Sequence, residues 1–239
     1  MNVVIVGNGK IGRALEAGLR RAHPSWPVHT LGRNDERTAV AQAEAVLLCV
    51  KPSQVRATLE SLCPTLKAGS VLMSVAAKTT LASLAELLPP GIGVVRAMPN
   101  LPVSELVGMT AIASESEAQD IERAEAIFSA MGRTVRVEER LMDAATAMNG
   151  CGPAYAYLIV EAWIDAGIKL GFSYETARTL VAQTLLGAAA SVLASDEHPA
   201  ALKTAVTTPA GCTIEGLMQL EDGRLRSTIV RAVLAAAGA

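Results

Sequence analysis

The stretch Met1-Asn2-Val3-Val4-Ile5-Val6-Gly7-Asn8-Gly9-Lys10-Ile11-Gly12 decides the fold of this chain. A short apolar strand pattern leads directly into G-x-G-x-x-G, which opens a helical pattern. Gly7 permits a tight turn, Gly9 lets the backbone approach a pyrophosphate, and Gly12 lets the helix pack closely on the strand. The alternative is a glycine turn without a ligand. The predicted dinucleotide-binding residues of this loop are Gly7, Asn8, Gly9, Lys10, Ile11 and Gly12.

Strand and helix patterns alternate through the first 138 residues, which predicts a parallel sheet covered by helices. Met109–Ala113 follows the preceding strand without a clear helix, so we expect residues 109–137 to form an antiparallel or edge addition. The predicted strands are Val3–Val6, Val28–Leu31, Ala45–Val50, Val71–Val75, Val94–Met98, Met109–Ala113 and Thr134–Val137. The predicted helices of this half are Ile11–Ala22, Ser53–Leu62 and Leu81–Leu88.

The strand signals stop at about Leu141, and helical patterns follow. Pro153–Leu170 carries its charges on one stripe, which predicts a helix buried on most sides, and Ser173 can cap the next helix. About a hundred residues of Ala-rich helices make a thin core alone. We therefore predict a homodimer, or a higher oligomer, formed through a helical domain at 139–239 that follows a dinucleotide-binding domain at 1–138.

Composition excludes several partners. The net charge of −2 offers no basic face for nucleic acid. The uncharged run from Thr179 to Ser195 falls short of the roughly 20 strongly apolar residues of a membrane span. The start of the chain lacks the pattern of a secretory signal, and the four cysteines form no CxxC pair. We therefore expect a cytoplasmic protein with a small-molecule partner and no metal site.

The end of the second predicted strand bears on the choice of cofactor. NAD sites usually carry an acidic residue there to bind the ribose 2′-hydroxyl. This chain has Arg33 and Asn34 instead, and a cation with an amide suits a 2′-phosphate, so we predict NADPH. Asp35 and Glu36 follow immediately and leave NADH as a lesser option. Arg33 could also be a solvated turn residue.

Two further loops follow predicted strands, at the edge where open α/β sheets bind ligands. They are Val50-Lys51-Pro52 and Met98-Pro99-Asn100-Leu101-Pro102. Prolines stiffen both loops, and Asn100 offers a donor and an acceptor to a nicotinamide or a ribose. Either loop alone could be an ordinary turn. The residues predicted here as cofactor-binding are Val50, Lys51, Pro52, Pro99 and Asn100.

Two glycine-rich patches mark the second half of the chain. Residues 149–155 form a turn that leads into the long helix, and residues 207–217 form a hydroxyl-rich loop that leads into another. Such a loop at a helix N-terminus could bind a carboxylate through backbone N–H groups and hydroxyls. Plain helix capping by Thr208 is the alternative.

Six motifs occur in the order G-N-G-K-I-G, V-K-P, M-P-N-x-P, G-x-G-P-A-Y, D-A-G-I-K-L-G and T-P-x-G-x-T-x-x-G-L. Together they resemble the pyrroline-5-carboxylate reductase family, from Gly7 to about Arg226, and the last motif is the most specific. The resemblance implies an α/β Rossmann-type dinucleotide-binding domain followed by an all-α dimerisation domain. It also implies reduction of the C=N bond of 1-pyrroline-5-carboxylate to L-proline, without a metal or a covalent nucleophile.

The same resemblance implies roles for individual residues. Thr213 would bond the ring nitrogen of the substrate and is the predicted catalytic residue. Val206 would line the substrate ring, and Ala76 with Asn100 would face the nicotinamide end. The predicted substrate-binding residues, which include the groups that hold the substrate carboxylate, are Val206, Thr208, Gly211, Cys212 and Thr213.

Some positions depart from the family pattern. Cys151 and Asn149 stand where serine is usual, Cys212 stands where Thr or Ala is common, and Ala210 replaces the first glycine of a P-G-G run. An alanine there is penalised if the loop requires a positive φ angle. Two alternatives therefore remain open: reduction of a different cyclic imine, and a non-catalytic NADPH-binding protein.

Overall fold

The computed structural model describes residues 1–33 and 35–238, which divide into two compact units. The first unit is Met1–Pro153, and the second begins at Ala154. The strands are β1 Val3–Val6, β2 Val28–Leu31, β3 Ala45–Leu48, β4 Val71–Ser74, β5 Gly93–Pro99, β6 Gly108–Ala113 and β7 Gly132–Arg136. The α-helices are α1 Lys10–Ala22, α2 Val55–Leu62, α3 Leu81–Ala85, α4 Ala118–Ser129, α5 Met142–Ala145, α6 Gly152–Lys169, α7 Tyr174–Ala194, α8 Pro199–Ala205, α9 Cys212–Asp222 and α10 Leu225–Ala237.

The first unit is built on a seven-stranded sheet of order β2-β1-β3-β4-β5-β6-β7. Strands β1 to β5 are parallel, and every residue of β1, β3 and β4 is buried because helices cover both faces. Leu15, Leu19 and Phe128 belong to the core on one face, and Leu59 with Leu84 belongs to the core on the other. The predicted Rossmann-type fold is confirmed.

The predicted addition after β5 is also confirmed, since β6 runs antiparallel to β5 and β7 lies at the edge, parallel to β6. Helix α4, which connects β6 to β7, was not predicted. A parallel pair requires such a crossover. Its apolar buried residues are Ala124, Ile127 and Phe128. The helices expected at Ser53–Leu62 and Leu81–Leu88 are shorter, because Pro52–Gln54 forms a 3-10 turn and α3 ends at Ala85.

Residues 139–153 belong to the first compact unit, and the predicted domain boundary at 138 stays a prediction. Met142 is fully buried against the sheet residues Met98, Ala111 and Ala113. The buried guanidinium of Arg96 on β5 lies 3.1 Å from Glu139 and 3.6 Å from Asp143. A π-helical turn, Thr146–Gly150, then leads to α6.

The second unit contains α7 to α10 and most of α6. Ser173 caps α7 as predicted, accepting a hydrogen bond from the Thr176 N–H. The expectation that α6 is buried on most sides is wrong for the single chain, where Ile164 is its one buried residue among those described. Within residues 1–33 and 35–238, α7 is the one helix long and apolar enough to cross a membrane, by length and composition only.

Candidate functional site

The loop between β1 and α1 requires glycine at two of its three pattern positions. Gly7 has a φ angle of +114°, and a Cβ there would collide with the Cys49 carbonyl group at the end of β3. A Cβ on Gly12 would collide with the carbonyl oxygen of Gly7. These contacts hold the first turn of α1 close against the ends of β1 and β3, as predicted for Gly7 and Gly12.

Gly9 has different surroundings. In the described part of the chain, no atom lies within 4 Å of the position that its Cβ would take. Gly9 is also the N-cap of α1, and no described side chain caps the helix there. The open space therefore adjoins first-turn N–H groups that lack a side-chain partner, an arrangement that suits a phosphate or pyrophosphate.

A cavity of about 580 Å³ lies beside this loop. Its volume is in the range of small-molecule sites. Of the predicted cofactor-binding residues, the lining includes Gly7, Asn8, Gly9, Arg33, Val50 and Lys51. Sequence reasoning missed a further set of lining residues, which are Val6, Gly32, Arg37, Cys49, Ser53, Gln54, Ala57, Thr58 and Ser61. Burial raises the pKa of the Cys49 thiol to about 12, so this thiol stays uncharged at neutral pH.

The loop after β2 is held by two opposite charges. The Asp35 carboxylate accepts a hydrogen bond from the Gly32 N–H at 2.7 Å. The Arg37 guanidinium donates to the carbonyl oxygens of Gly32 and Arg33, at 3.0 and 3.3 Å. This loop therefore contributes two cations, Arg33 and Arg37, to the cavity lining, while Asp35 is engaged with the backbone. The predicted residue Asn34 lies outside the described residues.

Arg37 could have been found from the sequence. It lies four residues after Arg33 in Arg33-Asn34-Asp35-Glu36-Arg37, a short run with a cation at each end. Because the loop is short and turns sharply after β2, both Arg33 and Arg37 lie near the end of that strand. The predicted residue Pro52 begins the 3-10 turn before α2 and is not among the described lining residues.

Three predicted residues lie at the same sheet edge but outside the cavity lining. Ala76 follows β4, is buried, and its N–H donates to the Ser74 hydroxyl at 3.3 Å. Pro99 ends β5, and Asn100 follows it. The Asn100 side chain bonds to Met109 and Asn149 of the chain itself. The bonds fix the orientation of the Asn100 amide, and its expected contact with a nicotinamide or a ribose stays a prediction.

The predicted substrate residues lie together around the N-terminus of α9. Gly211 is the N-cap, Cys212 and Thr213 form the first turn, and Thr208 approaches Gly211 so closely that a Cβ there would collide with the Thr208 hydroxyl. No described side chain caps α9, so helix capping by Thr208 is not observed. Val206 lies just before the loop and is 67% exposed.

Ala210 adopts a φ angle of +58° in this loop. The loop therefore uses the left-handed conformation at this position although the residue is not glycine. The Cβ of Ala210 adds a conformational cost of about 1–2 kcal/mol in this region. Glu215 lies in the first turn of α9 and is the one acidic side chain there among the described residues.

The parallel sheet, the glycine loop and the uncapped start of α1 define the class: a Rossmann-type dinucleotide-binding protein with an appended helical unit. Residues 139–239 match the family model for pyrroline-5-carboxylate reductase dimerisation. Residues 29–78 match the model described as NADP oxidoreductase, coenzyme F420-dependent.

Similar proteins cover most of the chain. The pyrroline-5-carboxylate reductase of Methanosarcina acetivorans is 34% identical over 252 residues, covering 97% of this chain and 93% of the relative. That of Synechocystis is 41% identical over 208 residues, covering 84% and 76%. The crystal structure of Plasmodium falciparum pyrroline carboxylate reductase with NADP bound has a TM-score of 0.89 at 30% identity, covering 100% of this chain and 96% of that one. The chain belongs to the pyrroline-5-carboxylate reductase family.

Proposed function

We propose that this chain reduces the C=N bond of 1-pyrroline-5-carboxylate with NADPH and forms L-proline. Family membership over nearly the whole chain supports the reaction class. The observation that carries the proposal is the uncapped N-terminus of α1 at Gly9, which opens beside a cavity lined by Arg33 and Arg37. A dinucleotide with a 2′-phosphate matches both features.

The residues present fit NADPH. The open space at Gly9 and the first-turn N–H groups, which include those of Lys10, Ile11 and Gly12, would hold the pyrophosphate. Arg33 and Arg37, with Asn34 as a further candidate, would hold the 2′-phosphate. Because the Asp35 carboxylate bonds to the Gly32 N–H, it is a poorer partner for the 2′-hydroxyl of NADH. NADH stays the lesser option.

The loop before α9 would hold the substrate. When bound, NADPH supplies a hydride to the imine carbon. The Thr213 hydroxyl would bond the ring nitrogen, and Val206 would line the ring. The substrate carboxylate would bind Thr208, Gly211 and the backbone N–H groups of Cys212 and Thr213. The uncapped N-terminus of the 11-residue helix α9 supports this assignment, because such N–H groups favour an anion.

We also propose that residues 139–239 act as the helical dimerisation and substrate domain of a cytoplasmic homodimer. The match of these residues to a dimerisation model supports the assembly. So does the exposure of large apolar side chains on α6, α7, α9 and α10, which a single chain in water leaves uncovered.

The test is cofactor oxidation by the purified protein with 1-pyrroline-5-carboxylate, first with NADPH and then with NADH. Pyrroline-2-carboxylate and carboxylate-free 1-pyrroline serve as controls. With NADPH, we expect turnover of 1-pyrroline-5-carboxylate and of neither control imine. Turnover with NADH should be slower. Turnover with another imine only would support the alternative substrate that the changes at Cys151, Ala210 and Cys212 left open. NADPH binding without turnover on any imine would sink the enzymatic assignment.

The role of Thr213 is tested in the same assay. Thr213→Val keeps the shape of the side chain and removes the hydroxyl, so kcat should fall by about tenfold or more, since a hydrogen bond to a charged group is worth about 1.5–3 kcal/mol. Thr207→Val is the matched control, because the Thr207 hydroxyl bonds to the Lys203 carbonyl group at 2.9 Å. Equal loss in both variants would contradict the assignment.

A further inference from the structure

Two asparagine side chains meet at the carboxyl edge of the sheet. Asn100 follows β5, and Asn149 lies in the π-helical turn, three residues before α6. The Asn100 Nδ2 donates to the Asn149 Oδ1 at 2.9 Å and to the Asn149 carbonyl oxygen at 3.4 Å. The Asn100 Oδ1 accepts from the Met109 N–H at 2.9 Å. Both the Nδ2 and the Oδ1 of Asn100 are therefore bonded within the protein, which fixes the orientation of this side chain.

Asn149 supplies donors that the strands lack. Its Nδ2 donates to the carbonyl oxygens of Met98 and Met109, at 2.6 and 3.0 Å. Pro99, between Met98 and Asn100, contributes a carbonyl oxygen but no N–H, so the end of the β5–β6 ladder has more acceptors than donors. An amide provides two N–H donors and an acceptor together, which no hydroxyl can do. Asn149 thus ties the ends of β5 and β6 to the π-helical turn.

The Asn100–Asn149 pair lies at the part of the sheet edge where the nicotinamide half of the proposed cofactor would bind. The pyrophosphate would lie at Gly9, after β1, and the 2′-phosphate at Arg33 and Arg37, after β2. Strand β2 is at one edge of the sheet, and β4 and β5 lie beyond β1 and β3 on the other side. The adenosine half therefore extends over β2, and the nicotinamide half extends toward the loops after β4 and β5.

We propose that Asn149 is a positioning residue for the nicotinamide half of the cofactor. Its side chain fixes Asn100 and the end of β5, so that the loop at this edge keeps one conformation. Asn149 acts through that loop and needs no contact with the cofactor. This inference rests on the proposed binding of NADPH, and it gives Asn100 a second role, that of partner to Asn149.

The test separates the two halves of the cofactor. Binding of 2′,5′-ADP reports on the adenosine half, and the fluorescence of bound NADPH reports on the surroundings of the nicotinamide. For Asn149→Ala, we expect the emission to shift toward that of free NADPH while the 2′,5′-ADP affinity stays within about twofold of wild type. With substrate, kcat should fall by about tenfold to a hundredfold, because misplacement of a reacting group has effects of that size.

Three further variants complete the design. Asn100→Ala should reproduce the fluorescence shift, and the double variant should add little to either single change, because the two residues act as one unit. Asn149→Ser keeps one donor and should give an intermediate shift; it also serves if Asn149→Ala does not fold. Ala144→Ser, at an exposed position of α5, is the control and should match wild type.

Unchanged NADPH emission in a folded Asn149→Ala or Asn149→Ser variant would overturn the inference. Equal loss of 2′,5′-ADP binding and of the NADPH signal would also overturn it, since that result indicates general damage. Failure of the proposed function looks different: the wild-type protein itself would not bind NADPH or would not turn over an imine. The fluorescence comparison still decides the role of Asn149 when NADPH binds without turnover.

Discussion

Gly9 and Gly12 lie three residues apart at the start of α1, yet a methyl group added to each would meet different surroundings. At Gly12 it would collide with the Gly7 carbonyl oxygen, whereas at Gly9 it would enter open space, as far as the described residues show. Glycine at position 12 is therefore required by the fold, whereas the space beside Gly9 is open to a ligand.

The two alanine variants should separate folding from binding. Gly9→Ala should keep the melting temperature of wild type but weaken NADPH binding by about tenfold or more, or about 1.4 kcal/mol per tenfold. Gly12→Ala should lower the free energy of unfolding by about 1–3 kcal/mol, because the loop must shift. Thermal unfolding and titration with NADPH check both. Unchanged NADPH affinity in Gly9→Ala would contradict the assigned pyrophosphate position.

Ala210 makes a second residue-level prediction. Its left-handed conformation costs about 1–2 kcal/mol, and glycine would remove this cost. Glycine also gives the unfolded chain more backbone freedom, which lowers the gain in stability by about 0.5–1 kcal/mol. Ala210→Gly should therefore raise the free energy of unfolding by about 0.5–1 kcal/mol in denaturant titrations. Ala201→Gly, inside α8, is the control and should lower it by about 1 kcal/mol. A loss in both variants would refute the conformation described for Ala210.

Arg33 and Arg37 should set the preference between the two cofactors. Removal of either cation should weaken NADPH binding by about tenfold or more and leave NADH binding nearly unchanged, because only NADPH carries the 2′-phosphate. Binding constants of Arg33→Ala and Arg37→Ala for both cofactors test this. The control is Arg56→Ala, an exposed cation on α2 that is not among the described cavity-lining residues. Parallel loss of NADPH and NADH binding would argue against the assignment.

At the scale of elements, apolar runs predicted β1, β3 and β4 closely, because residues buried on both faces of a parallel sheet leave a continuous pattern. The prediction for β7, Thr134–Val137, starts two residues late, because this edge strand is partly exposed and its pattern is mixed. Helix α4 was missed because charged residues interrupt its apolar stripe at Ala124, Ile127 and Phe128. The glycine loop was also predictable, since close backbone contacts require glycine at Gly7 and Gly12 and so fix their spacing. The hydrogen bonds between Asn100 and Asn149 were not predictable, because the two residues are 49 positions apart and only the fold brings them together.

The contact between α4 and β7 gives a prediction about pH. The Arg136 guanidinium donates two hydrogen bonds to Glu125, at 2.6 and 2.7 Å, and these hold the pKa of Glu125 below its ordinary value of 4.5. A lowered folded-state pKa means that the contribution to stability is present above the unfolded-state value and is lost as the pH falls below it.

Melting temperatures of wild type and Glu125→Gln should therefore differ at pH 7 and converge as the pH falls from about 4.5 toward the folded-state pKa. Glu86→Gln, which removes an exposed carboxylate after α3, is the control for the change of charge. A difference between wild type and Glu125→Gln that is constant with pH would mean that the ion pair does not stabilise the fold.

At the scale of the whole molecule, the two units differ in how much they bury. The first has a core on each face of its sheet, whereas the described buried residues in the core of the second unit are Ile164, Ala177 and Val181. Large apolar side chains such as Leu158, Leu186 and Leu193 are exposed there. So thin a core does not hold a helical unit together in water, which is the physical basis for the proposed homodimer.

Leu186→Glu tests this assembly. Leu186 on α7 is 58% exposed in the single chain, and a charge there should prevent burial against a partner. Size-exclusion chromatography with light scattering should show a dimer or higher oligomer for wild type and dissociation or aggregation for the variant. Ala82→Glu on α3 adds the same charge to the first unit and should leave the assembly unchanged. A wild-type monomer at micromolar concentration would contradict the proposal.

The few buried side chains of the second unit also imply that the stability of the folded protein depends on its concentration. If its helices are covered only by a second copy, then dilution shifts the equilibrium toward single chains whose helical unit is poorly supported. The melting temperature should then rise with protein concentration. Assays at nanomolar protein would lose activity over time, whereas concentrated stocks would keep it. The amount of protein in a cell would therefore set the fraction that is folded as well as the rate of catalysis.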